Sequence, residues 1–355
     1  MQNGAALFQI LRLLFYIETA HKENTIVVQL INNPMKNLVL YSLNMILLIL
    51  FVLPASCISS PQFLPVKGSG EPVDKNYKVS DFHGIEVSSG FDVILVQGDS
   101  EDLTITAQEN LFEHIIVKVD QGILRIYAER GIMATKPMKA RISFKNIDNL
   151  EVSGGGDTEC ETTVNVPKLD VNISGGGDLN TVINTDELKC NINGGGDAKI
   201  DGNIKNYNLE LSGGGDVRSD LEAGNIECSV SGGGDLTLRS KEKVNDAHVS
   251  IGGGGDFTLE MNVINLKCSV TGGGNATLTG QASGLEIEIN GGGDVNASDF
   301  LTEITSFNVS GGSDFHVNVS KELNGIISGG GDVYYSGNPV NVSVDAKGGS
   351  KVYKQ

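Results

Sequence analysis

A four-residue run, Gly-Gly-Gly-Asp, recurs at 154–157, 175–178, 194–197, 213–216, 232–235, 253–256, 291–294 and 329–332. Degenerate copies stand at Gly272-Gly273-Gly274-Asn275, Gly311-Gly312-Ser313-Asp314 and Gly348-Gly349-Ser350-Lys351. The eleven copies are spaced by 21, 19, 19, 19, 21, 19, 19, 20, 18 and 19 residues. A unit this short cannot close a core by itself. Repetition at this period therefore implies units that bury their apolar faces against one another.

Alignment on the Asp shows how. Seven residues before it stand Leu150, Val171, Cys190, Leu209, Cys228 and Val249 in successive copies; five before stand Val152, Ile173, Ile192, Leu211 and Val230. One after stand Leu179, Val217, Leu236, Phe257 and Val295. The residues between are polar, as at Glu151, Asn172, Asn191 and Glu210. Alternation at period two is the signature of a half-buried strand. Each unit reads as strand, glycine turn, short strand and variable loop. Val166, Ile204, Val244 and Val263, twelve before the Asp, mark a third side. The predicted fold is all-β: a parallel β-solenoid over 151–355, with glycine at the turns because positive φ or close backbone approach is cheap without a Cβ. At ~4.8 Å per coil the eleven coils make a rod roughly 50 Å long.

Residues 77–150 differ. Strand-like runs at Ile85–Val87, Phe91–Gln97, Leu103–Ala107, Ile115–Val119, Leu124–Ala128 and Ala140–Phe144 predict a β-rich N-terminal cap that covers the first coil. Residues 58–76, with Pro61, Pro65, Gly68, Gly70 and Pro72, read as a tether. Residues 35–57 read as a signal peptide: Lys36, the apolar run Leu38–Leu53, then Pro54-Ala55-Ser56-Cys57. Leu53–Cys57 also resembles a lipobox, with Pro54 where Leu is usual, so Cys57 is a candidate lipid-attachment site; a freely secreted chain is the other reading. Met35 is a natural start. Residues 1–34 then read as an upstream extension, with Leu7–Ile17 as a poor first helix in the alternative.

Gly84-Ile85-Glu86-Val87, Gly90-Phe91-Asp92-Val93 and Gln97-Gly98, followed by serial Ser/Asn-Gly-Gly-Gly-Asp turns, resemble the auto-transporter adhesin head, or GIN, domain family of bacterial envelope proteins. Tyr334-Tyr335-Ser336-Gly337-Asn338-Pro339 and Gly348-Gly349-Ser350 are similar to that family's C-terminal end. The likeness spans about 77–355. It implies a right-handed β-helix and an exported location, at the outer membrane, cell surface or periplasm. It carries no catalytic motif, and this chain has more glycine turns than such a protein leads one to expect.

Charge narrows the partners. With 44 Asp+Glu against 26 Lys+Arg, the net charge is −18. Phosphate neutralisation needs a basic face, so nucleic acid is excluded as a partner. Asp157, Asp178, Asp197, Asp216, Asp235, Asp256, Asp294, Asp314 and Asp332 would stack on one edge, and such a row is either a Ca²⁺ ladder or a set of turn caps. The spacing is wrong for the nine-residue Ca²⁺ repeat, and Asn275 and Lys351 fit the caps, so no metal and no cofactor is expected.

The Ser/Asn column (Ser153, Ser174, Asn193, Ser212) lacks a histidine in register and reads as a polar turn ladder. Cys190, Cys228 and Cys268 share an inward position two coils apart, beyond disulfide reach, and read as small core residues. His21, His83, His114, His248 and His316 show no metal spacing. Lys199 and Arg218, near Asp197 and Asp216, form the one cluster that a polysaccharide lyase or hydrolase could use; a surface ion-pair patch is the simpler reading. The expectation is thus a non-enzymatic, exported binding protein. Its ligand would be a glycan or protein surface, and any membrane contact would come only through the signal or lipid anchor. A glycan-cleaving enzyme and a purely structural envelope protein are the alternatives.

Overall fold

The computed structural model describes residues 65–129 and 131–355. The upstream extension, the signal segment and Cys57 lie outside the described residues. Among the described residues, no helix is long and apolar enough to cross a membrane.

The chain forms a parallel β-solenoid, and the columns read from the sequence are its ladders. On one side Leu150 pairs with Val171, then Cys190, Leu209, Cys228, Val249, Cys268, Ile287 and Phe307 in turn. On the second side Leu179 is followed by Ala198, Val217, Leu236, Phe257, Ala276, Val295 and Phe315. Val244, Val263, Ala282 and Thr302 line the third side. Nearly all these inward residues are at most 6% exposed. Burying a Val, Leu, Ile or Phe side chain is worth about 1.5–3 kcal/mol each, so identical columns supply one continuous core.

The segment expected to be a variable loop is itself paired in most coils. Leu179–Gly194, Ala198–Gly213 and Val217–Gly232 are unbroken bent strands. Breaks survive in the 21-residue units and in the last unit, where residues 337–340 separate Val333–Ser336 from Asn341–Gly348. In the second 21-residue unit the strands Leu236–Ser240 and Val244–Gly253 flank Lys241-Glu242-Lys243, and the 20-residue unit carries a register shift between Ala297 and Leu301.

The N-terminal region is more intimately part of the stack than a separate lid. Its strands are β1 (Val66–Lys67), β2 (Pro72–Lys78), β3 (Gly84–Val87), β4 (Asp92–Gln97), β5 (Asp102–Gln108), β6 (Ile115–Asp120), β7 (Ile123–Ala128), β8 (Ile132–Met133) and β9 (Lys139–Phe144). β3 and β4 are rungs of the two ladders, pairing in parallel with Asn149–Gly154 and Thr158–Cys160. β7 and β9 pair in parallel with the opposite edges of β3 and β4, so the layer made second lies outside the layer made first. Antiparallel strands finish the end: β6 on β7, β5 on β9 and β2 on β5. Much of the stretch read as a tether is therefore folded. β2 belongs to this closure, and β1 pairs with β8.

Candidate functional site

The Asp column occupies one exposed corner of the rod, just beyond the glycine turns. Each carboxylate accepts the backbone N–H of the equivalent residue in the next coil: Asp178 N–H to Asp157 at 3.0 Å, Asp197 to Asp178 at 2.8 Å, Asp216 to Asp197 at 2.9 Å and Asp235 to Asp216 at 2.9 Å. The series continues through Asp256, Asn275, Asp294, Asp314 and Asp332 to Lys351. The carboxylate thus caps the next coil, where the turn-cap expectation placed it on its own turn. Lys351 fits because it ends the series as a donor. Asp92 opens the column, accepting the Asp157 N–H at 3.3 Å, and the degenerate turn Gly90-Phe91-Asp92 was the signal for it. A hydrogen bond to a charged group contributes about 1.5–3 kcal/mol, comparable with the repulsion between neighbouring carboxylates of about 1–4 kcal/mol over effective dielectrics of 80 to 20.

The three glycines of each turn have different roles. The first has positive φ, +137° at Gly213, and a Cβ there would lie 1.9 Å from the carbonyl oxygen of Gly194. The third is buried, and at Gly215 a Cβ would meet Gly196 O at 1.9 Å. Ser313 and Ser350 nevertheless fill this third place, donating to Gly291 O and Gly329 O. The middle one, such as Gly214, is exposed, lacks a positive φ, and would place a Cβ in open space.

Along the first side runs an open trough of about 1320 Å³, from Glu187 in one coil to Ile304 six coils on, roughly 29 Å at the coil spacing. Its floor is the buried row Leu188, Tyr207, Ile226, Ala247, Leu266 and Leu285. One wall is the register row Glu187, Asn206, Asn225, Asp246, Asn265, Gly284 and Ile304, amides and carboxylates over its first five coils. Asn225 donates to Asn206 at 2.9 Å, Asn206 to the Asp186 carbonyl at 3.2 Å, and Asn265 to Asp246 at 2.8 Å. The other wall carries Lys189, Asn208, Glu227, His248, Lys267 and Glu286. Lys267 donates to Glu286 at 2.9 Å, and that hydrogen bond holds its ammonium pKa above the ordinary value. Amides offer donors and acceptors side by side, so the trough is dressed for an extended polar ligand. The two outward rows bounding each strand were legible as polar positions; their concavity was not.

The second side is electrostatic. Lys199 and Arg218 are adjacent, as the register required, but their partners are Asp201 at 3.1 Å and Asp220 at 3.3 Å, two residues after them. Strand residues two apart share a face, whereas Asp197 and Asp216 are turned toward the corner. Arg239 stands in register between Asp220 and Glu260 and bonds Glu260 at 2.8 Å. Further along, His316, Tyr334 and Tyr353 stack, with ring centroids 4.6 and 5.3 Å apart. Of the neighbouring aromatics, Phe315 is fully buried and Tyr335 packs half-buried against the core.

Cys190, Cys228 and Cys268 are buried free thiols, and Cys160 is a half-buried one. His248 is exposed in the trough wall, and His83 bonds Asp148 at 2.9 Å. The Ser/Asn column hydrogen-bonds within itself, Ser212 to Asn193 and Ser310 to Asn290. Among the described residues, no cluster of three or more His, Cys, Asp or Glu side chains has the arrangement of a metal centre.

A family profile described as "Putative auto-transporter adhesin, head GIN domain" matches residues 81–250 and 243–339. Among solved structures, a "putative lipid binding protein" from Parabacteroides distasonis is 20% identical, covering 82% of this chain and 100% of that one, with a TM-score of 0.37. A "putative adhesin" from Bacteroides fragilis is 17% identical, with 82% and 100% coverage and a TM-score of 0.30. Another from Parabacteroides merdae is 16% identical, with 82% and 98% coverage and a TM-score of 0.39. No curated protein matches the chain.

Proposed function

Because the chain belongs to the family of auto-transporter adhesin head (GIN) domains, we propose that it is an exported cell-surface protein whose rod binds an extended polar ligand, a glycan or a polypeptide, in the polar-walled trough. The observation that carries this reading is the trough itself, where Asn206, Asn225 and Asn265 stand in register with Glu187 and Asp246 on a rigid scaffold. A ligand spanning several coils gains from each repeat without further ordering of the protein, which is the arithmetic of multivalent contact. The mature chain would leave the cytoplasm through its signal segment and be held, if Cys57 is lipidated, at a membrane surface. The acidic body disfavours side-by-side association of rods.

The test is binding of the purified chain to glycan and protein arrays, repeated with Asn225→Lys and Asn265→Lys. Ligands captured by the wild type and lost by both variants at unchanged melting temperature support the trough. Retained binding by the variants, uniformly negative arrays, or release of reducing or unsaturated sugar ends would each overturn the reading.

A further inference from the structure

The two ends of the solenoid are finished differently. At the N-terminal end the parallel ladders are covered by antiparallel strands, and the outermost of these carry charge: β2 has Pro72, Asp74, Lys75 and Lys78, and β6 has Lys118 and Asp120. Charge and proline on an edge strand discourage further pairing. At the C-terminal end, the strand Asn341–Gly348 pairs only with Glu322–Gly329, and Val352–Lys354 only with Val333–Tyr335; among the described residues nothing lies on their outer edges.

Part of their inward face is correspondingly bare, while Val344 and Val352 stay half-buried against the core. Val342 sits in register with Leu323, yet it is 45% exposed where Leu323 is fully buried. Ala346 is exposed above the fully buried Ile327. Val340 and Tyr353 are exposed beside them. An apolar core end and a row of free backbone groups therefore coincide. A hydrocarbon surface would satisfy the first and not the second, so the occupant is a β-strand.

The charge pattern selects the strand. Asp345 and Lys347 flank Ala346 on the outward face, 2.9 Å apart and both largely solvent-exposed. An antiparallel pairing of this strand with its own twin about Ala346 sets Asp345 opposite Lys347 of the partner subunit, and the converse. It also keeps every inward residue opposite an inward residue, as period-two side-chain direction demands. Such a contact is isologous and closes at two copies. It points the two acidic bodies away from one another, the arrangement with least repulsion between chains of net charge −18. We propose that the C-terminal end of the rod is a self-association site, joining two copies of this chain end to end through antiparallel pairing of Val344–Gly348 about Ala346.

Sedimentation equilibrium of the purified chain, with small-angle scattering for its longest dimension, tests this. The expected result is a concentration-dependent dimer nearly twice as long as the monomer. Lys347→Asp should raise its dissociation constant roughly tenfold or more, and the exchange Asp345→Lys/Lys347→Asp should restore it. A strictly monomeric chain, a dimer no longer than the monomer, or a Lys347→Asp variant that pairs normally would overturn the proposal. Asn225→Lys in the trough should leave the dimer intact, and Lys347→Asp should leave array binding by the monomer intact, so this proposal and the trough reading fail separately.

Discussion

The ring of Phe307 lies where a side chain on Gly325 would have to stand: a Cβ at 325 would fall 2.6 Å from the ring carbons of Phe307. The two residues are register partners in adjacent coils, and Phe307 also meets Phe315 edge-on at 5.5 Å. One oversized residue thus fills two rungs of the inward column. Gly325→Ala should cost about 1–3 kcal/mol through overpacking, read as a lowered urea midpoint. Adding Phe307→Leu should recover part of that loss, a coupling that a double-mutant cycle measures; additive losses would show that the two sites are independent.

The Asp column joins an attraction and a repulsion on the same groups, and substitution separates them. Asp235→Asn keeps an acceptor for the Asp256 N–H, as Asn275 does for Asp294, and removes one charge from the row. It should raise the melting temperature at low ionic strength, and the gain should vanish near 1 M salt, where the screening length falls to about 3 Å. Asp235→Ala removes the acceptor as well and should melt lower than Asp235→Asn in all salt concentrations. Thermal melts in a salt series decide both.

Within one turn the three glycines should respond differently to alanine. Gly214→Ala should change stability by no more than about 0.5 kcal/mol, the usual range for an unconstrained surface site. Gly213→Ala meets both a positive φ and the Gly194 carbonyl, and Gly215→Ala meets the Gly196 carbonyl. Each should cost more than about 1 kcal/mol. Chemical denaturation of the three single variants reads the order directly.

Burial pushes the thiols of Cys190 and Cys268 up to about 12, and that of Cys228 upward as well. In the unfolded chain they ionise near the ordinary value of about 8.5. A thiol held neutral by the fold gives up a proton only on unfolding at high pH, so the unfolded state binds fewer protons there and stability falls as pH rises. The loss should begin near pH 9 and continue to about pH 12. Cys190→Val with Cys268→Val should flatten that alkaline limb, as followed by urea midpoints at stepped pH. The same thiols should resist alkylation at pH 8 until the chain is denatured.

Most of the solenoid was readable because its coil repeats: a column of Leu150, Val171 and Cys190 aligned on paper is the same column hydrogen-bonded in space. The inward placement of the cysteines came from that register alone. Three things were not readable. The carboxylates' acceptance of N–H groups from the next coil depends on distance across the stack, which spacing along the chain does not contain. The trough is a curvature of the sheet, while alternation reports only which face a residue takes. The placement of β7 and β9 outside β3 and β4 is a matter of long-range order: their pattern marks strands and says nothing of which edge they join. The membership of Asp92 was legible and was hidden only by the loss of two glycines from its turn.

That placement bears on how the protein is made. Ile85 finds one neighbour, Leu124, 39 residues downstream and the other, Leu150, 65 residues downstream. Every later rung needs only the unit beside it. The costly loop closures are therefore concentrated at the N-terminal end, and the remaining coils need only short-range zippering. A nascent chain committed to this order has a slow ignition and a fast burn, and lesions at Ile85 or Leu124 should delay the whole rod while lesions in a late coil merely fray it.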